Sequence, residues 1–208
     1  MKKQIPIFFF LTVALIFAEG KSVVKVGAFN FYPAIFQDED GIIKGFYCDA
    51  LNELSEKENI EYVYVYGSWA DGLERLKNGE VDLLTSVAIT EERLKYMDYT
   101  STPLLTVWSE VYVKPNSEIR GILDLKRKSV AVMKNDVNAE HLKQLAQKFD
   151  LNCTFIETAD FEEVFRLISA NKVDAGVVNN TFGAPKSVIL WSQIGPFVSL
   201  TSNKRNGD

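Results

Sequence analysis

Along the chain, short runs of apolar residues are followed by segments in which apolar residues recur at helical spacing. This pattern predicts strands that alternate with helices. Short runs of β-branched and aromatic residues predict strands at 23–29 and 60–66. The apolar positions after Gly45 predict a short helix, and residues 69–78 predict a second helix that stops at Gly79. Strands and helices in this order, with short connections, predict right-handed βαβ units and a mainly parallel sheet.

A second copy of this pattern begins after the polar, proline-containing segment 114–117. It predicts three strands, at 129–133, 152–156 and 174–179. It also predicts two helices, at 139–149 and 161–170. Two such units joined by extended crossings leave a cleft between them. Because ligands of these sheets collect at the carboxyl ends of the strands, the cleft is the expected binding site.

The N-terminal residues 1–20 have the features of an export signal. Lys2 and Lys3 precede an apolar run at 5–17, and Ala18 and Gly20 occupy the small-residue positions of a signal-peptidase site. As a helix, the apolar run would reach about 20 Å, which is too short for a hydrocarbon core of about 30 Å. We therefore predict a signal peptide at 1–20, with no lipid anchor, and a mature protein that is soluble outside the cytoplasm.

The remaining composition narrows the classes of function. With 208 residues, of which 47% are hydrophobic, the chain can bury one or two cores. The formal net charge is −5, and removing Lys2, Lys3 and Glu19 with the signal makes it −6. This acidic balance argues against binding of nucleic acid, which requires a basic surface.

An arginine stands out in the segment that follows the predicted strand at 81–87. Thr90 is a good helix N-cap, and Arg93 stands three residues later, where a capping box would have Glu or Gln. A cation at the positive end of a helix predicts that a negative group lies nearby. The alternative is a surface ion pair with Glu91, Glu92 or Asp98.

Several segments in a fixed order carry a family resemblance that covers residues 23–200. They are VVKVGAFNFYP, GFYCDALNEL, IEYVYVYGSW, LERLKNGEVDLLTS, TEER and DYTSTP. Their order resembles that of the periplasmic solute-binding proteins of the amino-acid-binding class, the Venus flytrap domains that supply ABC transporters and also serve as sensor domains.

The resemblance implies an α/β, two-lobed periplasmic-binding-protein-like fold of type II, in which each lobe is a mainly parallel sheet flanked by helices. We expect lobe 1 at 21–113, lobe 2 at 114–183 and a return crossing toward lobe 1 at 184–208, with the family's C-terminal helices missing. Cys48 and Cys153 could form one disulfide in an exported chain. They fall in different lobes, however, and a bridge would obstruct closure, so we predict that both are free.

The resemblance also implies ligand-binding residues. Thr90-Glu91-Glu92-Arg93 matches the family's T-x-x-R segment, which makes Arg93 the predicted carboxylate anchor because a guanidinium binds a carboxylate by two parallel hydrogen bonds. Other positions match the hydroxyl and aromatic groups that line the first lobe, with loop polarity or core packing as the alternative: Thr85, Ser86, Trp69, Phe31 and Tyr32.

Two positions depart from the family's pattern. Asp136 stands where a glycine followed by Ser or Thr usually receives the ligand carboxylate, so it could cap a helix, repel an anion or pair with Arg93. Asn179 stands where amino-acid binders have an aspartate for the ligand ammonium. Asp136 could supply this missing negative charge. The segment 177–183 is similar to flytrap domains of bacterial sensor histidine kinases.

Motifs of other functional classes are missing from the sequence. There is no G-x-S-x-G, H-E-x-x-H, P-loop or dinucleotide fingerprint. The only histidine, His141, and the lack of a ligand cluster predict no metal and no cofactor. We predict a periplasmic binding protein, not an enzyme, whose partners are a small molecule and an ABC permease. A sensor kinase is the alternative partner, and a flytrap-fold dehydratase or lyase, with Glu157 or Asp160 as general acid, is less favoured.

Overall fold

A computed structural model describes residues 20–182 and the backbone of residues 192–199. In chain order the strands are β1 (Ser22–Ala28), β2 (Phe36–Gln37), β3 (Ile43–Lys44), β4 (Ile60–Tyr66), β5 (Leu83–Leu84), β6 (Trp108–Val113), β7 (Ser129–Met133), β8 (Thr154–Thr158), β9 (Ala175–Asn179) and β10 (Ser192–Ser199). The helices are α1 (Phe46–Glu58), α2 (Trp69–Lys77), α3 (Val137–Lys148) and α4 (Phe161–Ser169).

The first sheet has the order β4-β1-β5, and both pairings are parallel. Helix α1 packs against β4 and α2 packs against β1 and β5, while β2 and β3 form a separate antiparallel pair. These are the βαβ units that the sequence predicts. We call β1–β5 with α1 and α2 the first lobe.

The second sheet has the order β10-β6-β9-β7-β8. Strands β7, β8 and β9 are parallel, whereas β6 runs antiparallel to both β9 and β10. Strand β6 lies before the predicted lobe boundary at 113, yet its hydrogen bonds place it in the second sheet. We call β6–β10 with α3 and α4 the second lobe. The two lobes are the two-lobed α/β fold that the sequence predicts.

Two apolar clusters hold the described residues together. One lies between α3 and a face of the second sheet that includes Val130, Val132 and Val177. The other joins the lobes, because aromatic residues of the first lobe pack in it with aromatic residues of the second. Phe31 lies 5.9 Å from Phe161, measured between ring centroids, and only 2% of Phe31 is exposed.

The predicted signal peptide lies outside the described residues apart from Gly20, and so do 183–191 and 200–208 of the predicted return crossing. Cys48 and Cys153 are both free thiols, as predicted. None of the helices in the described part of the chain has the length and apolar character of a membrane span.

Candidate functional site

Arg93 lies in a short turn after the first sheet. The predicted helix is a single 3₁₀ turn at Arg93–Lys95, in which the hydroxyl of Thr90 accepts a hydrogen bond from the backbone N–H of Arg93 at 3.2 Å. The turn ends at Tyr96, before a segment rich in Asp, Thr, Ser and Pro that favours turns over helix. Because three residues carry little dipole, the guanidinium rather than a helix end defines the local charge.

The guanidinium of Arg93 is buried, and its hydrogen bonds go to peptide carbonyl groups. Only 8% of the residue is exposed. Nη1 donates to the carbonyl oxygen of Ala88 at 3.1 Å, and Nη2 donates to that of Asn135 at 2.9 Å. The ion pairs found within the described residues do not include Arg93. This burial excludes the alternative of a surface ion pair.

Trp69 reaches the same carbonyl group from a neighbouring helix. It is the first residue of α2, which begins at a capping box formed by Ser68 and Asp71. Its indole Nε1 donates to the carbonyl oxygen of Asn135 at 3.3 Å, and its ring centroid lies 5.8 Å from Cζ of Arg93. Two donors of the first lobe therefore converge on one carbonyl oxygen of the second lobe.

Asp136 follows that carbonyl group in the chain and is buried beside it. It occupies the N-cap position of α3, but its carboxylate accepts a hydrogen bond from Nδ2 of Asn138 at 2.9 Å instead of making the side-chain cap that the sequence predicts. The hydroxyl of Ser109 donates to Oδ1 of Asn138. Burial raises the pKa of Asp136 to about 6, although Asn138 and the positive charge of Arg93 act in the opposite direction.

Several hydroxyl groups lie in the segments before and after Arg93 or contact them. Thr85 is 7% exposed, and its hydroxyl is buried with no hydrogen-bond partner in the described part of the chain. Ser86, which has a φ of 62°, lies with its hydroxyl 3.3 Å from that of Tyr47. The hydroxyl of Tyr99 donates to the carbonyl oxygen of Ala88, which Arg93 also contacts. Thr85 thus retains hydrogen-bonding capacity at the site.

The remaining predicted site residues lie in three different environments. Phe31 belongs to the aromatic cluster that joins the lobes. Tyr32 is 49% exposed and packs on Phe36 at 4.9 Å between ring centroids, so the structure does not bring it to Arg93. Asn179 is buried, and its side-chain oxygen accepts a hydrogen bond from the backbone N–H of Phe182 at 3.0 Å.

Sequence reasoning missed four residues of this group: Asn135, Asn138, Ser109 and Tyr47. Asn135 acts through its backbone, and its φ of 60° turns the chain between β7 and α3. Asparagine tolerates this left-handed conformation, which is the one signal that the sequence offers for it. Asn138 and Ser109 meet only because β6 packs beside the start of α3. No group of three metal-ligating side chains occurs within residues 20–182.

The two sheets and the polar group between them define a two-lobed protein of the periplasmic-binding-protein-like fold. Comparison with known families gives the same result at the level of sequence. The chain belongs to the bacterial extracellular solute-binding proteins, family 3, whose family model matches residues 24–140. This match confirms the predicted family.

Two relatives have names that specify amino acids. A probable histidine-binding protein of Campylobacter jejuni is 27% identical over 163 residues, which are 75% of this chain and 59% of that protein. A probable amino-acid-binding protein of Bacillus subtilis, YxeM, is 26% identical over 165 residues, which are 78% of this chain and 61% of that protein. The chain therefore spans about three fifths of the length of these relatives.

Solved structures confirm the fold. An ancestral arginine-binding protein bound to arginine matches with a TM-score of 0.77 and 26% identity, over 86% of this chain and 81% of that one. A histidine kinase sensor domain with similarity to periplasmic binding proteins matches with a TM-score of 0.72, over 86% of this chain and 78% of that one. At 20% identity, the second match shows the fold alone.

Proposed function

We propose that this protein is an extracytoplasmic solute-binding protein that captures a small carboxylate-bearing ligand, of the amino-acid class, between its two lobes for uptake by an ABC transporter. The observation that carries the proposal is the buried guanidinium of Arg93, which hydrogen-bonds to two peptide carbonyl groups and makes no ion pair within the described residues. A buried cation without an anion is costly, and a ligand carboxylate removes that cost.

The geometry around Arg93 suits a carboxylate. The Nη2 and Trp69 Nε1 donors already converge on one oxygen atom, the carbonyl oxygen of Asn135. A ligand carboxylate in this place would accept the same hydrogen bonds and would add a full negative charge. A guanidinium can bind a carboxylate by two parallel hydrogen bonds to its two oxygen atoms, whereas a peptide carbonyl group offers one oxygen atom, so the exchange favours the ligand.

The contact between the lobes indicates how capture would close the protein. Asn135 belongs to the second lobe, whereas Arg93 and Trp69 belong to the first. A ligand held by Arg93 must therefore enter between the lobes, which part and close again by a hinge motion. The names of the relatives, which specify histidine and amino acids, support this class of ligand.

Ligand sensing for a transmembrane histidine kinase is the alternative that the similarity of segment 177–183 suggests. Both functions use the same capture of a ligand. They differ in the membrane partner, so the reading frames beside the gene distinguish them: a permease indicates uptake, and a kinase domain indicates sensing.

A thermal-shift screen tests the proposal. The purified protein is heated with each standard amino acid, with simple organic acids and with the decarboxylated amines of the same side chains. A ligand at a hundredfold its dissociation constant adds about 2.7 kcal/mol of stability, which raises the midpoint of unfolding. We expect stabilisation by at least one amino acid and none by its decarboxylated amine.

Two outcomes of that screen contradict the proposal. Equal stabilisation by the amine would show that the carboxylate does not contribute to binding. Conversion of the bound compound, detected by mass spectrometry of the released ligand, would indicate an enzyme, because a binding protein releases its ligand unchanged.

A further inference from the structure

Arg93 and Asp136 are two buried, oppositely charged residues: Arg93 donates to the carbonyl oxygen of Asn135, and Asp136 is the next residue after Asn135. We propose that Asp136 binds the ammonium group of the ligand while Arg93 binds its carboxylate, so that the site selects zwitterions. This inference rests on the proposed function, since it adds a second anchor to the same site.

The positions of the two charges suit a zwitterion. Nη2 of Arg93 donates to the carbonyl oxygen of Asn135, and Asp136 is the next residue in the chain. Asp136 is 6% exposed, and it makes no ion pair with Arg93 or with another cation among the described side chains. The cation and the anion are therefore near each other but not in contact.

The side chain of Asp136 is oriented by neutral groups. Ser109 donates to Oδ1 of Asn138, and this bond leaves Nδ2 of the same amide to donate to Oδ2 of Asp136. The backbone N–H groups of Asn138 and Val137 also lower the pKa of this carboxylate by hydrogen bonding. Because a carboxylate has about four acceptor positions, acceptor capacity still remains for an ammonium group. The raised pKa of Asp136 agrees with a buried carboxylate that lacks a full counter-charge.

Asn179 cannot perform this role in place of Asp136. Its amide is neutral, and its side-chain oxygen is occupied by the backbone N–H of Phe182. An amide could accept a hydrogen bond from an ammonium group, but it could not neutralise the charge. The positive charge of Arg93 acts on the carboxylate of Asp136 and lowers its pKa, in opposition to burial.

The proposal determines which analogues the site rejects. A carboxylic acid without an amine would neutralise Arg93 but leave Asp136 buried without a counter-charge. A decarboxylated amine would neutralise Asp136 but leave Arg93 buried without a counter-charge. Leaving a buried charge without its partner costs more than losing a surface contact, so both analogues are expected to bind weakly.

The test uses the amino acid that stabilises the protein most strongly in the screen, with its deaminated acid as the analogue. Affinities of both are measured by calorimetry for the wild type, for Asp136→Asn and for Asp160→Asn. Asp160 is the N-cap residue of α4 in the same lobe, so its substitution is a matched control at another helix start. We expect Asp136→Asn to weaken amino-acid binding at least about tenfold, with no such loss for the deaminated acid or in the control.

The outcomes separate this proposal from the proposed function. Unchanged amino-acid affinity in Asp136→Asn would overturn the role of Asp136 while leaving Arg93 as the anchor. Equal affinity of the wild type for the amino acid and for its deaminated acid would also overturn the role of Asp136. If the wild type bound no amino acid, both the role of Asp136 and the proposed function would be overturned.

A measurement on the wild type keeps the proposal testable even where Asp136→Asn fails to fold. As the pH falls from about 8 to about 5, protonation of Asp136 should weaken binding of the amino acid but not that of the deaminated acid. Glu110 of β6 is hydrogen-bonded to Trp108 and Tyr112. His141 lies on α3, the helix that begins after Asp136, so His141→Gln is the control. Amino-acid affinity that does not fall with pH would overturn the proposal.

Discussion

The Nη2 atom of Arg93 lies 2.9 Å from the carbonyl oxygen of Asn135, and this hydrogen bond joins the two lobes. It connects the residue that the T-x-x-R segment identifies with the turn between β7 and α3. The donor is charged and the acceptor is neutral, so a negatively charged acceptor would bind more strongly in the same place.

The stability of the protein without added ligand should depend on the ionisation of Asp136. Its pKa is about 6 in the folded protein, above the value of 3.8 for the unfolded chain. At a pH below the unfolded pKa, the contribution of Asp136 to the stability of the folded protein is fully present. This contribution is lost as the pH rises through about 6, because the buried carboxyl group must then ionise. Between the two ends of this pH range, the contribution of Asp136 to the free energy of unfolding changes by on the order of 3 kcal/mol.

Urea unfolding at a series of pH values measures this effect. We expect Asp136→Asn to be more stable than the wild type near pH 8 and the difference to vanish below about pH 3, because the amide never ionises. Asp160→Asn should follow the wild type across the series. A wild type that gains stability as the pH rises, relative to Asp136→Asn, would contradict the assigned sign.

The start of α1 should tolerate only glycine at position 45. Gly45 has a φ of 123°, and a Cβ atom there would lie 2.5 Å from the carbonyl oxygen of Ala34. We expect Gly45→Ala to lower the free energy of unfolding by at least about 2 kcal/mol, because both the backbone and the loop must shift.

Gly121→Ala is the matched control for this substitution. A Cβ atom at Gly121 has no neighbour within 4 Å, and the backbone there is extended. Its effect should stay within about 0.5 kcal/mol, as for surface substitutions generally. Equal stabilities of the two variants in chemical unfolding would show that the loop before α1 is not packed as described.

Both cysteine side chains should react as free thiols. The chain contains only Cys48 and Cys153, and neither forms a disulfide. Burial raises the pKa of both thiols, and Cys48 is the more buried residue. Alkylation of the unfolded protein without reductant should therefore modify two sites, and Cys153 should react first in the folded protein. A mass that shows no alkylation would indicate a bridge.

Much of the fold could be predicted because its signals are local. The strand at Ile60–Tyr66 and the strand at Ser129–Met133 match the predicted bounds, since runs rich in β-branched and aromatic residues fit the surface of a sheet and favour strands. The membership of β6 in the second sheet was not evident, because its antiparallel partners β9 and β10 lie far away in the sequence.

The site could be predicted only where side chains carry the chemistry. Arg93, Trp69 and Asp136 meet around one peptide group, but the carbonyl oxygen of Asn135 leaves no trace in the sequence because every residue has one. Phe31 and Tyr32 carry the same aromatic signal. Only the three-dimensional course of the loop buries the first and exposes the second.

The most direct measurement of the central claim compares the calorimetric affinity of the best-stabilising amino acid for the wild type, for Arg93→Lys and for Arg75→Lys. Lysine keeps the charge but loses the planar fork, and Arg75 is a half-buried arginine of α2 that donates to the carbonyl oxygen of Tyr66. We predict that Arg93→Lys weakens binding at least about 30-fold while Arg75→Lys binds like the wild type. Equal affinity of all three proteins would contradict the assignment of Arg93 as the carboxylate anchor.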